Sequence, residues 1–275
     1  MLVLIGPPFQ GNDAEYGRLA ELTGILPYEL RTKLKPGAWG VVRALADRGQ
    51  AEALRERLWA DGFRSAVVDP HVASDPGRMF VPLRAIELAE TEVVLHLSER
   101  TMPIAHRALL TIVRGEVQVG ARPRTRPGSS SSFRAVVPNA DLEVFREPSA
   151  KELDAFAAAD LHFATVLWAA RIDVRSFDFS VLGQARGGVN DLDRLVDFLG
   201  ERTGLRVDRG SRVSSVASFS AGAGAPRSAT PVPGQSAPPR REAPERFDGY
   251  SRLVAEAERQ LARLTRASTR PPAPA

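Results

Sequence analysis

The chain has 275 residues, 43% of them hydrophobic and 25% charged, which is typical of a soluble globular protein with one large or two ordinary domains. It contains no cysteine, and this excludes disulfides, thiolate nucleophiles and cysteine-ligated zinc. No apolar stretch approaches the ~20 residues that span a bilayer, and no basic segment precedes the short apolar run at residues 2–5. We therefore expect no transmembrane segment, no signal peptide and a cytoplasmic location.

The positive charge of the chain is concentrated in its last quarter. Residues 205–275 hold 12 Arg and 6 Asp or Glu, whereas the first 204 residues hold 25 Lys or Arg and 27 Asp or Glu. A nucleic-acid-binding domain normally carries a basic face. The nearly neutral charge of the first 204 residues argues against that class of protein.

Residues 1–69 have the pattern of a small domain with the element order β-α-α-β-α-β. Its last helix-strand unit is the clearest: Asp47 and Gln50 have the spacing of a capping box, Gly62 can end the helix in a left-handed conformation, and residues 65–68 have strand composition. The other predicted elements are strands near 2–5 and 39–42, a helix capped by Asp13 and running to about Leu22, and a helix that begins at Pro27 and ends near Pro36-Gly37.

The element order and three segments of this region, LTGILPYEL, GQAEALRERLWADGF and SAVV, resemble the C-terminal domain of the bacterial ribosomal stalk protein. The matching motifs are Thr23-Gly24, Ala51-Glu52 and Gly62. That family binds translation factors through lysines on its first two helices, but Tyr28 and Arg31 stand at two of those positions. The resemblance therefore implies the fold and a docking module, which is also the role of protease adaptors that share the fold, without the translation-factor role.

Residues 79–205 are predicted to form a second, strand-rich α+β domain that is closed by a helix. Its architecture loosely resembles pleckstrin-homology-like modules. The predicted elements are paired strands at 80–88 and 92–97, a short helix from Pro103 to about Gly115, a hairpin of 117–119 with 132–137, strands within 161–169 and 172–174, and a helix capped by Asn190 and ended by Gly204.

The chain is predicted to end in a disordered tail that carries one amphipathic helix. Residues 206–246 are assigned as a disordered linker, because the 25 residues 220–244 include six Pro, three Gly and no aromatic residue. A helix follows at 247–267, and 268–275 is again predicted to be disordered. The apolar stripe of the helix at 247–267 consists of Tyr250, Leu253, Val254, Ala257, Leu261 and Leu264. The stripe could bind another protein, lie on an anionic membrane or fold back on its own chain, and we favour binding to another protein.

No motif predicts catalysis, a metal site or a cofactor. The loop Gly6–Gly11 lacks the Lys and Ser/Thr of a phosphate-binding loop. The histidines at 71, 96, 106 and 162 share no metal-ligand spacing, and the aspartates at 178, 191, 193 and 197 are explained by helix capping or by a solvent-exposed face. One possible anion-binding site remains at the tip of the predicted hairpin, formed by Arg122, Arg124 and Arg126.

The sequence therefore predicts a non-catalytic adaptor or regulatory protein whose partner is another protein. One alternative is a protein that binds nucleic acid or an anionic membrane surface through the Arg-rich tail and the 122–126 loop. A second alternative is an enzyme with a site between the two domains.

Overall fold

The computed structural model describes residues 1–119, 154–183, 186–210 and 246–268. The fold is α+β, as predicted, with one three-stranded sheet, one seven-stranded sheet and a long C-terminal helix. The predicted strand at 132–137 lies outside the described residues.

The first 68 residues have the predicted order β-α-α-β-α-β. The elements are β1 (Leu2–Ile5), α1 (Asp13–Thr23), α2 (Pro27–Lys33), β2 (Gly40–Ala44), α3 (Arg48–Ala60) and β3 (Ser65–Val68). Strand β1 lies between β2 and β3 and is antiparallel to both. Because successive side chains point to opposite faces of a strand, Val3 and Ile5 pack against the three helices, whereas Leu2 and Leu4 face the other side.

Local signals explain the helix ends in this region. The side chain of Asp47 accepts a hydrogen bond from the backbone N–H of Gln50 at 2.7 Å, so the predicted cap of α3 is confirmed. Gly62 has a φ of 86°, which suits a residue without a Cβ. The cap of α1 was predicted one residue too late, because Asn12 forms the capping box with Glu15.

The seven-stranded sheet has the order β10-β7-β8-β9-β4-β5-β6. Its strands are β4 (Phe80–Leu88), β5 (Glu92–Leu97), β6 (Thr101–Ala105), β7 (Leu109–Val119), β8 (Asp154–Phe163), β9 (Ala169–Asp173) and β10 (Val207–Asp208). The predicted strands at 80–88 and 92–97 are confirmed and are antiparallel. Short 3-10 turns lie at Pro70–Ser74, His106–Ala108 and Ser180–Leu182.

The helix predicted from Pro103 is wrong. Residues 101–105 form the edge strand β6, and the long strand β7 follows after one 3-10 turn. The apolar spacing that suggested a helix also fits strands, and the run Thr111-Ile112-Val113 is β-branched, which favours a strand. An edge strand tolerates Pro103 because it forms ladder hydrogen bonds on one side only.

Three other boundaries differ from the prediction. The strand predicted within 161–169 is β8, which begins at Asp154 and ends at Phe163. Helix α4 (Val189–Thr203) is preceded by Gly188 at the cap position instead of Asn190. The linker predicted from residue 206 includes β10, which pairs in parallel with β7.

The C-terminal helix α5 (Arg246–Ser268) joins the two sheets. Helix α4 packs on one face of the seven-stranded sheet, and α5 covers the other face. The opposite side of α5 contacts the face of the three-stranded sheet that α1–α3 leave uncovered. We call the resulting group of buried residues the central cluster: Leu2, Leu4, Trp39, Val41, Ala66, Val68, Val113, Val117, Ala158, Phe247, Tyr250, Leu253, Val254, Ala257 and Leu261.

Candidate functional site

The predicted partner-binding stripe of the C-terminal helix lies inside the protein. Tyr250, Leu253, Val254, Ala257 and Leu261 are at most 5% exposed and belong to the central cluster, while Leu264 is 37% exposed. In this structure the stripe binds the two sheets of its own chain. Our preferred interpretation, that this face binds a second protein, is therefore replaced by an intramolecular contact.

Polar side chains attach α5 to the three-stranded sheet. The buried carboxylate of Glu258 accepts hydrogen bonds from Trp39 Nε1 at 2.9 Å and from Arg64 Nη2 at 2.6 Å. The side-chain amide of Gln260 accepts from the backbone N–H of Val67 and donates to the Val67 carbonyl. Because β3 is an edge strand, this amide pairs backbone groups that no neighbouring strand can reach.

A second polar contact joins α5 to both β10 and the start of β2. The Tyr250 hydroxyl lies 2.6 Å from Asp208 Oδ1 and 3.0 Å from the Trp39 carbonyl oxygen. Asp208 also accepts hydrogen bonds from the backbone N–H groups of Trp39 and Gly210. Burial raises the pKa of Asp208, and burial together with the nearby Asp208 carboxylate raises the pKa of Tyr250.

A buried network links α5 to the seven-stranded sheet. Ser251 Oγ donates to Asp160 Oδ2 at 2.7 Å and lies 2.8 Å from His162 Nε2. Arg171 donates to both carboxylate oxygens of Asp160, at 2.7 and 2.9 Å, and to Asp248 Oδ1 at 2.7 Å. Asp160, His162 and Ser251 are at most 2% exposed.

This network contains Ser, His and Asp, but its connectivity differs from that of a catalytic triad. In a triad the serine hydroxyl donates to the histidine, and the carboxylate bonds the other imidazole nitrogen. Here the Ser251 hydroxyl donates to Asp160, so its oxygen must accept a hydrogen bond from His162 Nε2–H. Burial and the surrounding arginines hold the pKa of His162 well below its ordinary value, which keeps the ring neutral. The serine is therefore inaccessible and is not activated by a base.

Next to this network lies a cleft rich in arginine, which we call the arginine cleft. It is lined by Arg78, Phe80, His162, Leu167, Ala169, Arg252, Ala255 and Arg259. Its residues come from the beginning of β4 and the residues just before it, from β8, β9 and the turn between them, and from α5. The Arg171 guanidinium lies over the Phe80 ring at 3.9 Å from the ring centroid, and that of Arg252 lies 5.0 Å from the same centroid. Four guanidinium groups therefore lie close together here, and acidic side chains pair with those of Arg78, Arg171 and Arg259.

A second, open groove of about 440 Å³ contains a different histidine. His96 Nε2 lies 2.8 Å from Glu87 Oε1, and its Nδ1 lies 3.3 Å from Thr101 Oγ1. Asp178 also lines the groove, but its Oδ1 accepts a hydrogen bond from the backbone N–H of Ser180. The side chain of Glu87 is 70% exposed, so this contact is open to water.

The other predicted candidates are dispersed. His71 lies in the 3-10 turn after β3, and His106 lies in the turn before β7. Asp193 pairs with Arg114 at 3.0 Å, and Asp191 pairs with Arg194. Arg122, Arg124 and Arg126 lie outside the described residues, so the anion-binding loop stays a prediction.

Sequence comparison adds no relative to this picture. No family model, curated protein or solved structure matches the chain. The stalk-like resemblance of residues 1–69 therefore stays a prediction. In the part of the chain that the structure describes, no helix is long and apolar enough to cross a bilayer, and no three His, Asp or Glu side chains are grouped to hold a metal ion.

Our sequence reasoning missed the buried network, although the sequence held a partial signal. Asp160 and His162 are two residues apart in a strand whose residues 155–163 are otherwise apolar, so both must point to the same face. A charged residue in a buried strand normally has a partner. The partners Arg171, Asp248 and Ser251 are recognised only when β8, β9 and α5 are brought together.

Proposed function

We propose that the chain is a non-catalytic interaction protein of the adaptor or regulatory class, in which α5 holds the two sheets in one fixed arrangement. The proposal is supported above all by the position of α5, whose apolar stripe is buried between the two sheets. The buried carboxylate of Asp160 is bonded by Arg171 and Ser251, and the serine is not activated. A partner protein would then bind the outer surface of the assembled molecule, with α5 in place.

The alternative is that α5 is released from the two sheets and binds the partner itself. A crosslink that holds α5 in place distinguishes the two possibilities. A Cβ built on Gly249 would lie 3.4 Å from Ala73 Cβ, which is close to the separation found in disulfides. Because the chain has no cysteine, the double variant Gly249→Cys with Ala73→Cys would form one defined crosslink between α5 and the 3-10 turn after β3.

The experiment adds the purified wild-type chain, and the double variant in oxidised and in reduced form, to cell extract and identifies the crosslinked partners by mass spectrometry; the extract for the oxidised sample is freed of thiols, which would reduce the disulfide. We expect the same partners in all three samples, since a fixed α5 has no need to move. The single variant Gly249→Cys controls for the substitution itself. Loss of partners on oxidation, with recovery on reduction, would show that α5 must be released and would refute the proposal. Turnover of a substrate at the His96 groove would refute its non-catalytic part.

A further inference from the structure

We propose that the arginine cleft binds a protonated oxyanion, of which hydrogen phosphate is the simplest example. This inference goes beyond the proposed function, because it concerns a small ligand and needs no partner protein. It rests on the position of the cleft between α5 and the sheet, and on three lining residues that each have one buried nitrogen atom without a hydrogen-bond partner: Arg78, His162 and Arg259.

Two alanines line the cleft, one on the sheet and one on α5. His162 on β8, Ala169 on β9 and Phe80 on β4 are side by side in the register of the sheet. The methyl group of Ala169 forms the floor between two larger side chains, and Ala255 on α5 lies opposite; both alanines are 1% exposed.

Two of the unpartnered nitrogens are guanidinium Nη1 atoms. Arg78 uses Nε and Nη2 to bond Asp75 and Glu256, which leaves its Nη1 buried and without a hydrogen bond. Arg259 is 4% exposed, and its Nη1 lies 3.8 Å from the nearest Glu256 oxygen, which is too far for a hydrogen bond.

Arg78 and Arg259 share one acidic neighbour, Glu256, and Arg78 also pairs with Asp75. Arg259 directs its Nε and Nη2 to the backbone carbonyls of Phe163 and Val166, which carry no formal charge. Burial, followed by the nearby Arg78, lowers the pKa of Arg259 to about 10. Because Arg259 is buried and its Nη1 makes no hydrogen bond to Glu256, an anion that bonds this nitrogen would offset part of the desolvation cost of the guanidinium.

The third unpartnered nitrogen is a hydrogen-bond acceptor. His162 donates from Nε2 to Ser251 Oγ, so in the neutral ring the buried Nδ1 carries a lone pair and no proton. A ligand must therefore bring an O–H or N–H group for Nδ1, in addition to negatively charged oxygens for Arg78 and Arg259. Hydrogen phosphate has both, whereas sulfate at neutral pH has the same tetrahedral shape and no proton to donate.

The ligand must be small, and the side chains at the outer edge of the cleft must move to admit it. In the present arrangement the cleft is too narrow to hold a water molecule. Leu167, which is 48% exposed, lies in the β8–β9 turn at this edge. The half-buried Arg252 also lines the cleft and has a long flexible stem that can move outward.

The test uses the full chain and inorganic phosphate, measured by isothermal titration calorimetry at constant ionic strength and neutral pH. We expect saturable binding with a dissociation constant of about 1 mM or lower. Sulfate should bind at least about tenfold more weakly, because it leaves the His162 acceptor unpaired. Absence of saturable phosphate binding, or equal binding of sulfate, would overturn the proposal.

Matched variants on α5 locate the binding site. Ala255→Val fills the cleft and should weaken phosphate binding at least about tenfold, whereas Ala262→Val, at a partly exposed position outside the cleft, should leave it within about twofold of wild type. If Ala255→Val fails to fold, Arg78→Lys keeps the charge, removes the guanidinium fork and should weaken binding to a similar degree. Wild-type affinity in the folded cleft variant would place the phosphate elsewhere and overturn the assignment.

Discussion

Replacing Leu253 with alanine tests whether α5 is an integral part of the fold. Leu253 is 1% exposed and lies in the central cluster between the two sheets. Truncating a buried leucine removes its transfer free energy and leaves a cavity, which together cost about 2–5 kcal/mol. We expect a loss near the middle of this range, about 3 kcal/mol, because both sheets contact the helix and limit collapse around the cavity.

The matched control is Leu264→Ala, the same chemical change on the same helix at a side chain that is 37% exposed. Its cost should be below about 1 kcal/mol. Both variants can be compared with the wild-type chain in urea unfolding, followed by tryptophan fluorescence, since Trp39 is buried in the central cluster. For a chain of this size, each kcal/mol corresponds to a decrease of about 2–4 °C in the melting temperature.

Equal urea midpoints for the two leucine variants would refute the reasoning. They would mean that α5 does not contribute to the stability of the assembled sheets, as expected of a helix that is detached in solution. A change in the slope of the urea dependence, without a change in midpoint, would instead indicate a different surface exposed on unfolding.

Three further outcomes follow from the same interface. Tyr250→Phe should destabilise the protein by about 1–3 kcal/mol in urea unfolding, because Asp208 loses a buried hydrogen bond to the hydroxyl; an unchanged midpoint would contradict this contact. The pKa of His162 is lowered in the folded state, so His162 binds a proton more readily in the unfolded chain. The free energy of unfolding should therefore decrease as the pH falls below about 6.5. His162→Asn should show a smaller loss between about pH 7.5 and about pH 5.5, and an equal loss would argue against a buried neutral ring. Oxidation of the cysteine pair at positions 73 and 249 to a disulfide should raise the melting temperature; a decrease would mean that the disulfide is strained and that the two positions are not placed as described.

The first 68 residues could be predicted in detail because their signals are local. The cap at Asp47 and the stop at Gly62 each depend on residues a few positions apart. The helix predicted at Pro103 failed for the opposite reason. Its apolar spacing fits two structures, and pairing with β5 and with β8, whose partner residues lie up to 54 positions away, selects the strands.

The amphipathic pattern of α5 predicted that one side of the helix would be buried, but it contained no information on which surface would bury it. That information lies in the polar residues beside the stripe. Glu258 accepts hydrogen bonds from Trp39 and Arg64, and Ser251 donates one to Asp160. The bonded residues are 91 to 219 positions apart in sequence. A helix that binds an unrelated partner does not require a buried carboxylate opposite an indole N–H and a guanidinium of its own chain. Because an unmatched buried polar group is costly, these pairings specify one position for α5 more strictly than its apolar stripe does.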